Sequence, residues 1–522
     1  MFAIIAAVFA IGVGIVEGVA NATREVELDI PRRSYSRLRP IDGSWQSFSI
    51  EFSYMADYFG NLSSPNTLSH KLLANLHERS GKNVIIRAGG STANIALYNE
   101  SQPLAVENFF NGSTNVGLTG ATSDQPSSTL LGPAWFEAFM TAPAGTKYVY
   151  DLNYRDNSTQ GVNATVVVAK RVYDLLGPNI YAFELGNEME KWGGRYRAAD
   201  WSPELYTQDY LKYTNIFEEQ VFPNASVQPF FQMGTLQGSG NATTNQPWNS
   251  IVIMGLGLNN YGQIKSASQH DYHGSNCAST KEIAELRQNL LNHTNVQVRA
   301  TPHIQMSPII DKYGVEYVLG ETNSISCQGR DNVSNVFGSA LWYLNYNLYI
   351  ASSTMVSRMY FHQGTPYRYS LWSPFLSESN NHSALVRPSY YGALALSEAI
   401  GGNGGEKQIH AIVQEETLVA YSLYAGGELD GLFIINLEPW NATQTGDRPF
   451  IQFQLPERIS KSATMKRLTA PGSDVKTGGT WAGQTVNEEG NVEGDVVLEK
   501  WRPGDLVNVE YAEAVLLKFE NE

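Results

Sequence analysis

Short apolar segments with the composition of β-strands alternate with helical segments eight times between Ser47 and Ile400. This alternation is typical of a parallel sheet whose strands are joined by crossover helices. Eight repeats over roughly 350 residues predict a (β/α)8 TIM barrel, an α/β fold, with long loops. The predicted strands lie at Ser47–Phe52, Asn83–Ala88, Tyr148–Asn153, the Ile180–Glu188 stretch, Val227–Thr235, Lys265–Tyr272, Val315–Gly320 and Arg358–His362.

A glycine-rich segment at residues 401–405 separates this pattern from a different one. Beyond it, short strands such as Leu418–Tyr424 and Val496–Leu498 stand between Gly, Pro and Asn turns, which predicts a C-terminal antiparallel β-sandwich domain. The expected division is a signal peptide at 1–20, the barrel at 21–402 and the accessory domain at 403–522. Strand-prone residues from Val26 to Leu38 are expected to join the β-domain.

The first residues predict secretion. Phe2 to Val16 are nearly all apolar and are followed by Glu17 to Ala20, which is typical of a signal peptide cut after Ala20. The alternative, a membrane anchor, needs about 20 apolar residues, and this run is shorter. The sequence therefore predicts an extracellular protein without stable membrane insertion.

Asn-X-Ser/Thr triplets occur about twice as often as chance predicts, so an N-glycosylated surface is expected. Asn21 carries one triplet directly after the predicted cut. The other candidate sites are Asn61, Asn99, Asn111, Asn157, Asn163, Asn224, Asn241, Asn292, Asn332, Asn381 and Asn441.

The net charge of −15 excludes some partners. An acidic protein repels polyanions, which argues against nucleic acid and against a heavily sulfated polysaccharide as ligand. The oligomeric state stays open.

Two glutamates follow two of the predicted barrel strands. Glu188 ends the stretch IYAFELGNE, and Glu321 ends VEYVLGE 133 residues later. Barrel enzymes hold their chemistry at this end of the strands, and glycoside hydrolysis needs one acid/base carboxyl and one nucleophile. The alternative for either residue alone is a solvated surface carboxylate.

The motifs RAGGST, ELGNE, HDYHG and GETNS, followed by a β-domain, resemble glycoside hydrolase family 79, which holds β-glucuronidases and heparanase. The resemblance implies that Glu188 is the acid/base and Glu321 the nucleophile. It also implies that an aromatic hydroxyl such as that of Tyr272 holds the nucleophile, and that Glu51 contacts sugar hydroxyls. One departure is visible, because Thr322–Cys327 lacks the tyrosine that some members place there.

Several side chains are candidates for holding the sugar. Asn187 is expected to bind the 2-hydroxyl, a contact that strengthens at the transition state. His362, Tyr367 and Tyr369, with Arg368 between them, offer hydrogen-bond donors for a uronate carboxylate. The alternative for each is packing in a turn.

The reaction needs no metal or cofactor, and none is expected. His270, His273 and His362 are the only histidines considered as metal ligands, and roles as structural or substrate-lining residues are favoured over ligation.

The sequence thus favours a secreted, retaining, exo-acting β-glucuronidase that releases terminal glucuronic acid, or its 4-O-methyl form, from plant or fungal-type glycans. One alternative is a neutral-sugar β-glycosidase of the same clan. The other is a carbohydrate-binding barrel without turnover.

The only cysteines are Cys277, in the loop after strand six, and Cys327, in the loop after strand seven. Neighbouring barrel strands bring their following loops together, so a disulfide is expected. The alternative is two unpaired buried thiols.

Overall fold

A closed barrel of eight parallel strands forms the centre of the molecule. The computed structural model describes residues 24–35, 38–110, 125–223, 230–237, 248–277, 280–374, 384–402 and 405–520. Numbered along the chain, the barrel strands are β1 Gln46–Glu51, β2 Ile85–Gly89, β3 Lys147–Leu152, β4 Ile180–Leu185, β5 Phe231–Gln237, β6 Ile264–Tyr272, β7 Glu316–Asn323 and β8 Val356–Gln363. Each strand pairs with its neighbours in sequence and β8 pairs with β1, which confirms the predicted fold class.

Helices surround the barrel and bury one face against it. Their bounds are Met55–Phe59, Thr67–Ser80, Glu137–Thr141, Thr159–Leu176, Pro203–Gln220, Ser250–Gly255, His293–Asp311, Gly338–Ser353 and Ser389–Ile400. The helix Pro203–Gln220 begins where the Ser202 side chain accepts the N–H of Leu205, with proline at the first helical position. Tyr206, Tyr210 and Tyr213 recur at helical spacing, which predicts one buried face, and all three are fully buried in the core.

Three predicted elements differ from the structure. β7 continues three residues beyond Gly320, so Glu321 lies inside the strand. The spacing of Ile283, Leu286 and Leu290 predicts a helix that begins after Thr280. Instead a single π-helical turn covers Leu286–Leu290, the α-helix begins at His293, where the Asn292 side chain caps it, and Ile283 is 68% exposed. Val496–Leu498 forms no strand, and its side chains are about half exposed. Apolar spacing alone does not distinguish a surface loop from an element that packs.

The C-terminal domain is built from two sheets. The larger sheet joins Lys407–Gln414, Leu418–Ala425, Glu428–Asn436, Glu513–Phe519, Ala463–Thr469 and Thr480–Trp481 in that order, and Glu499–Trp501 pairs with Ala463–Thr469. The smaller sheet joins Arg24–Glu27, Phe450–Gln454 and Leu506–Glu510. The N-terminal strand therefore belongs to the β-domain sheet, where Arg24 pairs in parallel with Ile451.

The barrel and the β-domain share a continuous hydrophobic core. The helix Gly338–Ser353, which is buried along almost its whole length, packs against the edge strand Lys407–Gln414. At this junction the Tyr421 hydroxyl donates to the Asn345 side chain at 2.7 Å. The β-domain thus braces the β7–β8 side of the barrel.

The predicted signal peptide lies outside the described residues, as do Asn21, Asn111, Asn224, Asn241 and Asn381. Of the other predicted glycosylation sites, Asn61 and Asn292 are half-buried, and the remaining five are exposed. Among the described residues, no helix has both the length and the apolar character needed to cross a bilayer.

Candidate active site

The turn after β4 positions Glu188 in the candidate active site, next to His270 and Glu321. Gly186 has φ 74°, and a Cβ there would come within 2.8 Å of the Trp192 and Tyr154 rings, so only glycine fits. Glu188 itself has a left-handed backbone at φ 53°, and its N–H donates to the Thr235 carbonyl at 2.9 Å. A non-glycine residue in this conformation is strained and is held by its surroundings, which is common at functional sites.

Glu321 projects from β7, next to β6. A Cβ on the preceding Gly320 would lie 2.0 Å from the Ser268 hydroxyl oxygen, so the two strands approach closely at this point. The Tyr272 hydroxyl, at the end of β6, donates to Glu321 Oε1 at 2.8 Å. The structure therefore places Tyr272 on the carboxylate that the family resemblance assigned to it.

The two glutamates face each other across His270. One carboxylate oxygen of Glu188, one of Glu321 and a ring nitrogen of His270 all lie within 4.8 Å of one another. The His270 Nδ1 is 3.2 Å from Glu188 Oε1 and 3.9 Å from Glu321 Oε1. Retaining glycosidases hold their carboxyl groups about 5–5.5 Å apart, and inverting ones about 6.5–9.5 Å. These two carboxylate oxygens are closer to each other than the spacing of inverting enzymes.

These three side chains also have the donor types of a metal site. Each carboxylate, however, already has a cationic partner, because Lys191 lies 2.5 Å from Glu188 and Arg87 lies 2.9 Å from Glu321. Of the other two candidate histidines, His362 contacts Glu51 and has its Nδ1 3.8 Å from Glu321 Oε2. His273 instead packs edge-on against Tyr346.

Glu321 sits in an environment that keeps it ionised. Burial alone raises the pKa of its carboxyl, but the charges of His362, His270 and Arg87 outweigh burial and hold that pKa far below its usual range. The Tyr272 hydrogen bond acts in the same direction. An ionised carboxylate is what a nucleophile requires.

From the sequence, the nearby carboxylate of Glu321 is expected to raise the pKa of Glu188. In the structure, burial and the Glu321 charge do raise that pKa, but the hydrogen bond to His270 and the charge of Lys191 lower it by more, so the net shift is downward. The neighbouring carboxylate therefore does not set this pKa by itself. In the unliganded protein Glu188 takes up its proton only at acidic pH.

Arg87, on β2, is fully buried and connects the parts of the site. Its Nε donates to Glu184 at 2.7 Å, its Nη1 to Glu321 at 2.9 Å and its Nη2 to the Asn187 Oδ1 at 2.8 Å. Burial lowers the pKa of Arg87, but the carboxylates around it raise that pKa above its usual value. The planar guanidinium thus fixes the nucleophile candidate and the amide in one frame.

Asn187 is positioned to offer one free donor. Its backbone N–H donates to the Asn94 side chain at 2.9 Å, and its carbonyl accepts from the same side chain at 2.9 Å. Its side-chain nitrogen has no hydrogen-bond partner among the described residues, although Asn187 is only 1% exposed. A buried donor without a partner costs free energy, so this nitrogen is suited to a ligand hydroxyl.

The opposite wall, on β1 and β8, holds the remaining predicted residues. Glu51 Oε2 lies 3.1 Å from the His362 Nε2 and accepts from the Tyr367 hydroxyl at 3.3 Å. Tyr369 packs against Tyr272 with ring centroids 6.1 Å apart. All of these groups are almost fully buried, so this end of the site is closed.

The electrostatics of this wall depend on His362. Burial lowers the pKa of its imidazole, but the charges of Glu321 and Glu51 raise it, and the net shift is upward. The sequence also offers backbone amides near Gly364 as donors, but the Gly364 N–H donates to the Ser370 hydroxyl at 3.0 Å. His362 and the tyrosine hydroxyls line this wall, where the Tyr367 hydroxyl already donates to Glu51.

The two cysteines form a disulfide, with Cα atoms 5.2 Å apart. It joins the loops that follow β6 and β7, as the placement of those strands predicted. Both loops continue directly from strands that carry site residues, Tyr272 and Glu321.

Comparison with known proteins identifies the family. Residues 420–516 match the glycosyl hydrolase family 79 C-terminal beta domain. A β-glucuronidase of Aspergillus niger is 31% identical, over 91% of this chain and 87% of that protein. A β-glucuronidase of Neurospora crassa is 30% identical, over 90% of this chain and 88% of that protein.

A solved structure supports the fold. A 4-O-α-L-rhamnosyl-β-D-glucuronidase from Fusarium oxysporum superposes with a TM-score of 0.78 at 22% identity, over 94% of this chain and all of that one. Together, the relatives and the arrangement of barrel and β-domain show that the chain belongs to glycoside hydrolase family 79 and is a glycoside hydrolase.

Proposed function

We propose that the protein is a secreted, retaining, exo-acting β-glucuronidase that releases terminal glucuronic acid, or its 4-O-methyl form, from glycans. The observation that carries the proposal is that a carboxylate oxygen of Glu188, in the turn after β4, lies within 4.8 Å of one of Glu321, on β7, in a family 79 barrel. The two curated relatives are both β-glucuronidases, which supports the choice of sugar.

The proposed reaction has two steps. The ionised Glu321 attacks the anomeric carbon while Glu188 gives its proton to the departing oxygen, and a glycosyl ester forms. Glu188, now ionised, takes a proton from water, and the resulting hydroxide equivalent breaks the ester at the anomeric carbon. Two inversions return the original configuration, and Asn187 supplies a hydrogen bond to the 2-hydroxyl in both steps.

Exo action is supported by the closed wall on β1 and β8. Glu51, His362 and Tyr367 are at most 3% exposed, so the sugar chain has no path beyond the first ring on that side. His362, whose pKa is raised, offers a charge-assisted donor for the uronate carboxylate. Secretion is supported by the leader, the glycosylation triplets and the disulfide.

One observation favours the neutral-sugar alternative. The Glu51 carboxylate faces His362 and Tyr367, where a uronate carboxylate would meet a like charge. The repulsion is strong for a substrate carboxylate that lies beside Glu51 and weak for one that extends past Tyr367. A comparison of substrates separates the two functions.

The test uses 4-nitrophenyl β-D-glucuronide, the matching β-D-glucoside and the β-D-glucuronamide. We expect kcat/KM on the glucuronide to exceed that on the other two by about 100-fold, because each unpaired buried donor costs roughly 1–3 kcal/mol. His362→Gln should reduce this preference, and through the lost charge beside Glu321 it should also lower the rate on all three substrates. Equal rates on all three substrates would favour the neutral-sugar function. Proton NMR of the first product formed should show the β-anomer, and an α-anomer would exclude retention.

A further inference from the structure

A cavity of about 350 Å³ adjoins the predicted acid/base and has a cationic wall. Asn187 and Glu188 form its inner end, and the loop that follows them forms its side. Its other charged and aromatic lining residues are Arg155, Lys191, Trp192, Arg195 and Tyr196. A local concentration of positive charge is unexpected in a chain whose net charge is −15.

Two of these cations, Arg155 and Arg195, have no ion-pair partner among the described residues. Arg155 lies over the Tyr196 ring at 4.9 Å and Arg195 over the same ring at 4.6 Å. Within the part of the chain that the structure describes, neither guanidinium pairs with a carboxylate, whereas the nearby Arg197 pairs with Asp209 at 2.9 Å.

Arg155 is half-buried and Arg195 is exposed, so both are accessible from the cavity. Both guanidiniums line the same cavity, and an anion bound there would be attracted to both positive charges. Guanidinium groups present paired donors that match the geometry of carboxylates and sulfates. The ring holds both side chains in place, which reduces the entropy lost on binding.

The position of this wall identifies which part of a substrate it meets. In the barrel, β4 lies opposite β8, and the closed wall of β1 and β8 holds the glycone in the proposed function. Glu188, after β4, must contact the oxygen of the bond that breaks. The described residues that line the cavity follow β2, β3 and β4, and none belongs to β8, so the cavity adjoins the unit that departs.

We propose that Arg155 and Arg195 form a subsite for an anionic group, a carboxylate or a sulfate, on the unit that leaves. The subsite gives selectivity for one nearby anion and does not require a polyanionic ligand. The proposal rests on the proposed glucuronidase function, since it assigns Glu188 to the breaking bond.

The test compares aryl β-D-glucuronides whose phenols carry an insulated substituent, so that leaving-group acidities match. One pair carries carboxymethyl or carboxamidomethyl, and the other carries hydroxymethyl or its sulfate ester. The wild-type protein should prefer the charged member in kcat/KM by at least about 10-fold, the smaller effect expected of a charge-assisted hydrogen bond. Preference in the first pair alone identifies a carboxylate ligand, and preference in the second alone a sulfate.

The double variant Arg155→Gln/Arg195→Gln should lose this preference and keep its rate on the neutral substrates within about twofold, because the charge-assisted bonds are made only to the anion. Arg155→Lys/Arg195→Lys should recover part of it. Arg502→Gln, which removes an exposed arginine from the β-domain, is the matched control. Should the double variant not fold, wild-type preference must still decline between 0.1 and 1 M salt as screening shortens from about 10 to 3 Å.

Three outcomes contradict the proposal. Turnover of glucuronides by the wild-type protein with no preference for the charged member overturns the subsite alone. An equal loss on charged and neutral substrates in the double variant overturns it too. Absence of turnover on every glucuronide overturns the proposed function, and the subsite with it.

Discussion

Arg87 donates to Glu321 at 2.9 Å while a second nitrogen of the same guanidinium donates to Asn187 at 2.8 Å. Because the guanidinium is planar and fully buried, the nucleophile candidate and the predicted 2-hydroxyl donor keep one separation. A shift of about 1 Å in such a frame can cost roughly 100-fold in rate.

Arg87→Lys should therefore reduce kcat/KM by about 100-fold or more, because one ammonium cannot bond both partners. Arg87→Met should also destabilise the fold by roughly 3–5 kcal/mol, since it leaves buried carboxylates unpaired. Arg358→Met is the matched control, because Arg358 pairs with Glu316 at the opposite end of the barrel. It should lower stability while preserving activity per folded molecule. An Arg87→Lys variant with wild-type kinetics would contradict the role.

The two glutamates should respond differently to removal of charge. Glu321→Gln should abolish turnover on all substrates, because no nucleophile remains. Glu188→Gln should retain activity on substrates with acidic leaving groups and lose it on alkyl glycosides, since only the latter need protonation. Azide should accelerate Glu188→Gln and yield the β-glycosyl azide. Equal losses on both leaving-group classes would contradict the assignment.

The pH dependence of kcat/KM should depend on the charge of Lys191. Net interactions with His270 and Lys191 lower the pKa of Glu188, so the fraction that carries its proton decreases as pH rises from the acidic range. Lys191→Met removes a positive charge, which raises that pKa and moves the basic limb of kcat/KM to higher pH. Lys170→Met, on an exposed helix surface, is the control. A basic limb that stays in place in Lys191→Met would show that His270 alone governs this proton.

The disulfide should stabilise the loops after β6 and β7. It closes a loop of 50 residues, for which chain entropy predicts about 4 kcal/mol, less any strain. The Cys277→Ser/Cys327→Ser variant should thus unfold at lower urea concentration, and limited proteolysis should cut first near these loops. An unchanged unfolding midpoint would show that packing alone holds the loops.

Acid should destabilise the fold through His293. This side chain is fully buried, lies 3.0 Å from the Asn345 Oδ1, and burial lowers its pKa to about 4. The folded pKa lies below the unfolded value, so the stabilisation is present above about pH 6.5 and is lost as pH falls toward 4. Over that pH range the His293→Gln variant should lose less of its unfolding free energy than the wild-type protein does, and the difference should be on the order of 2–3 kcal/mol. His77→Gln, at an exposed helix position, should behave like the wild-type protein.

The barrel was predictable because its signals are local. Short runs such as IYAFEL, bounded by glycine, identify a strand without knowledge of its partners. Glu188 and Glu321 stand beside those glycines, so their strands could be assigned before any contact was known. The disulfide followed from strand order alone, since adjacent strands bring their loops together.

What could not be predicted depends on contacts across the barrel. Arg87 interrupts an apolar strand, and a buried charge implies a partner, but its partners lie on β4 and β7. The downward shift in the pKa of Glu188 depends on His270, which is 82 residues distant in sequence. The helix expected after Thr280 begins only at His293, because the Asn292 side chain caps it there.

The pairing of Arg24–Glu27 with Phe450–Gln454 has a consequence for biosynthesis. Ribosomes add about 5–20 residues each second, so roughly 20–90 s separate the emergence of these two strands. The barrel segment is translated during that interval, while Leu28 and Ile30, which end up buried, still lack their partners. The apolar residues at the start of a nascent chain therefore have to be kept from aggregating until the final domain is made. A chain released from a ribosome stalled between the two strands would carry a barrel whose N-terminal strand has no partner.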